Sequence, residues 1–271
     1  MTVNVRTYRG APFRVAVVHG GPGGAGSMAE VAVELSRSFG VLEPLQAATT
    51  VAGQIDELGR SLQEYAMAPV ALICHSWGAW LGLMLAARRP ALVRSLVLVS
   101  CGVLEERFTV QLQERRLARL TPAERHTFRA ALAKLEEGTD QVDERAFRDL
   151  EELSEKADSY ELLPVSRKRA VEAGQSAAQA RIYSSVWPEA AEMRRSGELL
   201  QLASTVRCPV LAIHGDSDPS PAEGVSGPLS RAIPEVRFIL LKQSGHTPWR
   251  ERYAREEFLR LVRAEVEAQG G

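Results

Sequence analysis

Four short segments carry residue types that could perform covalent chemistry. His19-Gly20-Gly21-Pro22-Gly23-Gly24 follows an apolar run, and Cys74-His75-Ser76-Trp77-Gly78 follows another. Gly215-Asp216-Ser217-Asp218 and Ser244-Gly245-His246 come later, again each just beyond an apolar run. A serine hydroxyl is a poor nucleophile until an imidazole takes its proton, and the imidazole works best when a carboxylate orients it. Serine, then aspartate, then histidine is an order that supports such a relay. The serine sits between small residues, Cys74 and Gly78, two positions before and after it, as a sharp strand-to-helix turn requires; the usual pattern has glycine where this chain has Cys74. Glycines at 20, 21, 23 and 24 let a backbone turn approach a ligand and aim a free N–H at it. Within the third segment, Asp216 and Asp218 are both open as the orienting acid.

These segments must be held by regular elements. Phe13–Val18, Val70–Cys74, Ser95–Ser100, Pro209–His214 and Val236–Leu241 are short, continuously apolar runs of the kind that form strands covered on both faces. Helical spacing runs through Ser27–Ser38, Val51–Ala66, Ser76–Arg89 and Pro248–Ala268. The alternation predicts an α/β fold with a mostly parallel, doubly wound sheet, whose ligands sit at the carboxyl ends of the strands. From about Val103 to Tyr183 the pattern is helical only, with Thr121-Pro122-Ala123-Glu124 as a helix start. This predicts a core formed by residues 1–102 and 186–271 and a helical cap at 103–185, inserted before the last strands and hanging over the carboxyl edge of the sheet.

With these motifs in order, the chain resembles the α/β-hydrolase superfamily over nearly all its length. The pairing of HGGPGG at 19–24 with HSWG at 75–78 is most similar to the proline iminopeptidase-like branch. The resemblance implies Ser76 as nucleophile, His246 as general base and Asp218, three residues beyond Gly215, as its orienting acid. It also implies an oxyanion hole made by the backbone N–H groups of Gly21 and Trp77, and no metal or cofactor. Trp187-Pro188-Glu189 is a loose counterpart of the tryptophan- and glutamate-containing motif with which the aminopeptidases hold a substrate amine. A dehalogenase is disfavoured, since that branch has aspartate where this chain has Ser76.

Several neighbouring residues have plainer readings. His19 is expected to brace the glycine loop, His75 and His214 to be structural, and His126 to have no partner in the chemistry. Trp80, four residues after Ser76, reads as core or pocket wall, and Cys74 as a small buried spacer. Residues 136–161 hold eleven Asp or Glu against three Arg or Lys, a local balance of −8. Such a run is ordinarily a solvated helix face, although it could also draw a cationic substrate to the cleft.

Composition bounds the rest. The chain has 271 residues, 45% hydrophobic and 25% charged, as in ordinary globular proteins, so a disordered or fibrous chain is excluded. Its 33 Lys and Arg against 34 Asp and Glu leave a net charge of −1, which gives no basic field for nucleic acid. The longest apolar stretch, Ala79–Ala87, is far short of a membrane span. The N-terminus shows no signal-peptide pattern, and three scattered cysteines fit a reducing compartment, so a cytoplasmic location is expected. The expected partner is a small-molecule or short-peptide substrate. The expected function is a serine hydrolase cleaving an ester, amide or peptide bond; an N-terminal aminopeptidase, a lyase or a non-catalytic ligand receptor are the alternatives.

Overall fold

A computed structural model describes residues 4–136, 143–164 and 175–270. A seven-stranded sheet runs through its centre in the order β1-β3-β2-β4-β5-β6-β7. The strands are β1 (Val5–Tyr8), β2 (Phe13–Val18), β3 (Gly40–Pro44), β4 (Val70–His75), β5 (Val93–Val99), β6 (Val210–Gly215) and β7 (Arg237–Leu241). Only β1, at the edge, is antiparallel to its neighbour; all other pairings are parallel. Side chains that alternate along each strand supply the two faces. Ala16, Val18, Leu72 and Cys74 enter one apolar cluster, while Val15, Val17, Ala71 and Ile73 enter the other.

Helices cover both faces, which is why the central strands read as unbroken apolar runs. On one side lie α2 (Val51–Tyr65) and α3 (Trp77–Arg88), and on the other α1 (Ala29–Leu35) and a C-terminal helix, Arg255–Ala268. The N-terminal end of α3 determines where β2 can lie. A Cβ on Gly78 would stand 2.5 Å from the His19 carbonyl oxygen and 2.7 Å from that of Val18, so only glycine allows this approach.

Between β5 and β6 the described residues are mostly helical, as their spacing predicts: α4 (Thr109–Ala118), α5 (Pro122–Glu136), α6 (Glu144–Asp158), α7 (Gln175–Ser196) and α8 (Glu198–Ala203). The start of α5 is a reciprocal cap. The Thr121 N–H donates to Glu124 Oε2 at 2.8 Å, and the Glu124 N–H donates to Thr121 Oγ1 at 3.4 Å. Helices α4 to α7 supply a separate apolar cluster around Phe128, Leu135, Phe147 and Ala180, whereas α8 packs in the main core. Helix α7 belongs to both bodies, because Ala180 packs in that cluster whereas Val186, Ala190 and Met193 pack in the main core. The expected boundary between residues 185 and 186 therefore falls inside a continuous helix. Residues 137–142 of the acidic run lie outside the described residues.

The pattern reading missed two strands and a helix, and one predicted helix needs correction. Strands β1 and β3 escape the apolar-run criterion: β1 (VRTY) is a half-exposed edge, and β3 (GVLEP) is interrupted by Glu43, which is buried but accepts a 2.5 Å hydrogen bond from Tyr8 Oη. The helix α9 (Glu223–Ala232) lies in a stretch where Gly and Pro obscure the period. The pattern over Pro248–Ala268 is not one helix; a 3₁₀ turn at Pro248–Arg250 is separated from α10 (Arg255–Ala268).

Gly78→Ala should lower the unfolding free energy by roughly 1–3 kcal/mol, the usual cost of overpacking a filled interior. Urea denaturation checks this, and an unchanged midpoint would contradict the close approach of β2 to α3.

Candidate active site

Ser76 ends β4 and opens α3, with φ 54° and ψ −114°. This backbone region is sparsely populated for a side-chain-bearing residue and costs on the order of 1–3 kcal/mol, so it persists only when its surroundings enforce it. They do so here. Every residue of β4 is buried, and the Ser76 N–H is held by the Val99 carbonyl at 2.9 Å. After the turn, α3 is buried from Trp77 through Ala86.

The Ser76 hydroxyl lies 2.9 Å from His246 Nε2, and His246 Nδ1 lies 2.7 Å from Asp218 Oδ2. The Nδ1–H donates to the carboxylate, which leaves Nε2 free to accept the serine proton. Asp218 is fully buried as a side chain, and its other oxygen accepts the Ser220 N–H at 2.8 Å. Burial alone would raise its pKa, but the His246 and His214 imidazoles and these hydrogen bonds bring it down to about 2. Burial likewise pulls the His246 pKa down, yet the adjoining Asp218 carboxylate outweighs it and the net direction is upward. Asp216 plays no part in this line. It is exposed, lies 4.0 Å from Lys242 Nζ, and accepts from Ser217 Oγ at 3.2 Å.

Gly21 begins a turn closed by a 2.9 Å hydrogen bond from the Gly24 N–H to its carbonyl. The loop lies directly over the elbow, since a Cβ on Gly20 would stand 3.1 Å from Ser76 Cβ and 2.5 Å from His75 Nδ1. Trp77 presents its main chain at the first position of α3, while its indole turns inward and donates to Gln54 Oε1 at 3.1 Å. Trp80 donates to the Gly102 carbonyl and stacks on Trp187, which stacks in turn on Tyr183. Thus Trp187 joins an aromatic wall, but Glu189 does not follow it; its carboxylate accepts the Val51 N–H at 2.6 Å at the start of α2.

The flanking histidines brace the site. His19 is buried, and its Nδ1 lies 3.1 Å from the Gly20 carbonyl; burial lowers its pKa. His75 donates from Nε2 to the His246 carbonyl at 2.9 Å, and burial, with His246 nearby, lowers its pKa to about 3. His214 contacts the Ser220 carbonyl at 2.8 Å. Cys74 is buried against Gly82, and burial holds its thiol well above its ordinary pKa, in the protonated form. Among the described residues, no group of three or more His, Cys, Asp or Glu is placed to hold a metal ion, and no helix is long and apolar enough to cross a membrane.

Sequence reasoning missed three further groups at the histidine loop: Arg116, Asp158 and Glu251. Glu251 stands in the predicted C-terminal helix five residues after His246, and nothing in the sequence marks it as buried. Nothing in the sequence links Arg116 to Asp158.

A parallel sheet with a strained serine elbow, a glycine loop above it and a histidine beyond the last strand is the architecture of hydrolase-type proteins. The chain belongs to the alpha/beta hydrolase fold family, whose model matches residues 47–249. Its solved structural neighbours include a lipase candidate from Acinetobacter baumannii AYE, with a TM-score of 0.69 at 17% identity over 97% of this chain and 88% of the other. VinJ gives a TM-score of 0.69 at 19% identity, covering 98% and 94%. A structure from work on carboxylesterases of the thaumarchaeon Nitrososphaera gargenis gives 0.61 at 16% identity, covering 98% and 94%. No curated protein matches the chain by sequence.

The two central histidines should titrate far apart. In NMR titrations of the ring protons, His246 should change charge above about 6.5, the ordinary histidine value, and His75 should remain neutral at every pH above about 4. Asp218→Asn should move the His246 midpoint down by roughly one pH unit or more; an unmoved midpoint would contradict the carboxylate's influence.

Proposed function

We propose that the protein is a serine hydrolase that cleaves a carboxylic ester, amide or peptide bond of a small substrate through an acyl-enzyme. The reading rests on one observation, the unbroken line from Ser76 Oγ through His246 to Asp218 with contacts of 2.9 and 2.7 Å. Ser76 Oγ attacks the substrate carbonyl as its proton passes to His246 Nε2. The negative charge on the tetrahedral oxygen is stabilised by the N–H groups of Gly21 and Trp77. The imidazolium, stabilised by Asp218, returns the proton to the leaving group, and the acyl group stays on Ser76. Water, deprotonated by His246, then releases the acid and restores the serine.

Within this class, an ester or other neutral acyl substrate is the better fit. An aminopeptidase needs a carboxylate available to a cationic amine, and Glu189 is occupied at the start of α2. Six carboxylates of the acidic run also have cationic partners. Asp143 pairs with Lys134, Glu144 with Arg148, Asp149 with Arg145, Glu155 with Arg250, Asp158 with Arg116, and Glu161 with Arg252. The aminopeptidase reading draws on the pairing of HGGPGG with HSWG, on the loose counterpart Trp187-Pro188-Glu189 and on the acidic run. A cytoplasmic location and a small-molecule substrate accompany the proposal.

Three measurements test it. A short-chain nitrophenyl ester should be turned over with at least about tenfold greater kcat/KM than a proline anilide, a gap of about 1.4 kcal/mol in transition-state binding; a clear preference for the anilide, lost when its amine is blocked, would establish the aminopeptidase instead. Ser76→Ala should abolish turnover, and Asp218→Asn should lower kcat on the order of 10³–10⁴-fold, with Asp216→Asn close to wild type. Retained turnover in Ser76→Ala would overturn the nucleophile. Because the His246 pKa is raised and only the neutral ring accepts a proton, kcat/KM should fall as pH drops, with a midpoint above about 6.5.

A further inference from the structure

The chemistry above uses the His246 ring, but the main chain that carries the ring is held from outside the sheet. The His246 N–H donates to the Asp158 carbonyl at 2.8 Å, at the last residue of α6. One turn of chain beyond, the Glu251 carboxylate is fully buried and accepts three main-chain N–H groups: Gly245 at 2.9 Å, Tyr160 at 2.9 Å and Glu161 at 2.7 Å. Leu162 forms an isolated antiparallel bridge with Glu251. The Leu163 N–H donates to the Arg250 carbonyl and the Arg252 N–H to the Glu161 carbonyl, each at 2.8 Å. Residues 158–163 are therefore a strap laid along the histidine loop. The fit is close enough that a Cβ on Gly245 would stand 2.2 Å from the Asp158 carbonyl oxygen.

The strap has its own anchor. Arg116, on α4, grips the Asp158 carboxylate with two parallel hydrogen bonds, from Nε at 2.7 Å and Nη2 at 2.6 Å. The pair is almost dry, with side-chain exposures of 18% and 8%. Just past the end of α4, Arg119 Nη1 donates to the Ala157 carbonyl at 2.9 Å. A buried ion pair contributes little net stability compared with well-packed apolar side chains, because desolvation offsets the attraction. A bidentate guanidinium–carboxylate fork does fix direction, however. Here it fixes the residue whose carbonyl receives the His246 N–H.

We infer that Arg116 and Asp158 are positioning residues for His246, so that the helices inserted between β5 and β6 hold the proton-accepting ring in line with Ser76. The inference rests on the reading of His246 as general base. The same pair also sets a local charge balance. The groups facing the His246 ring are Asp218 from beyond β6, His75 from the end of β4, Asp158 from α6 and Arg116 from α4, with Glu251 at the adjoining turn. Asp158 stabilises the imidazolium and Arg116 opposes it. Removing either one alone should therefore move the histidine in opposite directions, which mere loss of stability would not do.

The test is the rate at which a fluorophosphonate labels Ser76, followed from pH 5 to 9 in the full chain. The final labelled fraction counts the competent molecules, so the rate constant is read per folded site. Arg116→Gln and Asp158→Asn should each slow labelling about tenfold at the pH optimum. The rising limb of the pH profile should move to higher pH in Arg116→Gln and to lower pH in Asp158→Asn. Arg116→Lys, which keeps the charge but not the fork, should recover about threefold of the loss; it and Asp158→Asn serve if Arg116→Gln does not fold. Rate constants and pH limbs equal to wild type in these variants, with only the labelled fraction or the melting temperature altered, would overturn the inference. His246→Ala is the parallel control. If it labels at the wild-type rate, the general-base reading fails; if it is inert while the Arg116 and Asp158 variants match wild type, the positioning role alone fails.

Discussion

The structure turns on a single strained residue. Ser76 is held at a positive φ because β4, buried along its whole length, must hand the chain to an equally buried α3 within one position. A turn that sharp lifts the hydroxyl clear of the sheet edge and leaves the first N–H of α3 beside it. It also requires that nothing bulky stand on either side, which is met by Cys74 tucked against Gly82 and by Gly78 beneath the end of β2. The loops after β2, β6 and β7 then converge on a point that the elbow has already defined.

Much of this convergence was written in the sequence, and what was not has identifiable causes. The interior strands were legible because both faces are covered, so apolar residues run without interruption. Strand β3 was not, because Glu43 is buried in it and its compensation comes from Tyr8, far away in sequence. The motif segments were legible because glycine and small residues at fixed spacing reflect backbone approach, a local requirement. Asp216 and Asp218 were not separable by type; they part only in space, where one is exposed and the other faces His246. Arg116, Asp158 and Glu251 belong to the least legible category, since ion pairs and main-chain acceptors across long separations leave no period and no spacing.

The acidic run shows how far local charge can mislead. Counted along the chain it is strongly negative, yet Arg116, Arg250, Arg252 and Lys134 come to it from other elements. Its charge thus serves to join the inserted helices to one another and to the turn after His246. The field that a ligand would meet is set by the folded neighbourhood, and it differs from the sum over adjacent residues.

Helix α7 has a bearing on how the two bodies could have come together. It starts among the inserted helices, passes Pro188 and ends in the main core without a break. The two bodies thus share one element, and Pro188, which cannot donate a main-chain hydrogen bond, stands near the point where it passes from one to the other. For the same reason, a transplant of the inserted helices onto a related sheet would have to carry the whole of α7, and with it the packing it makes against α3 and α8.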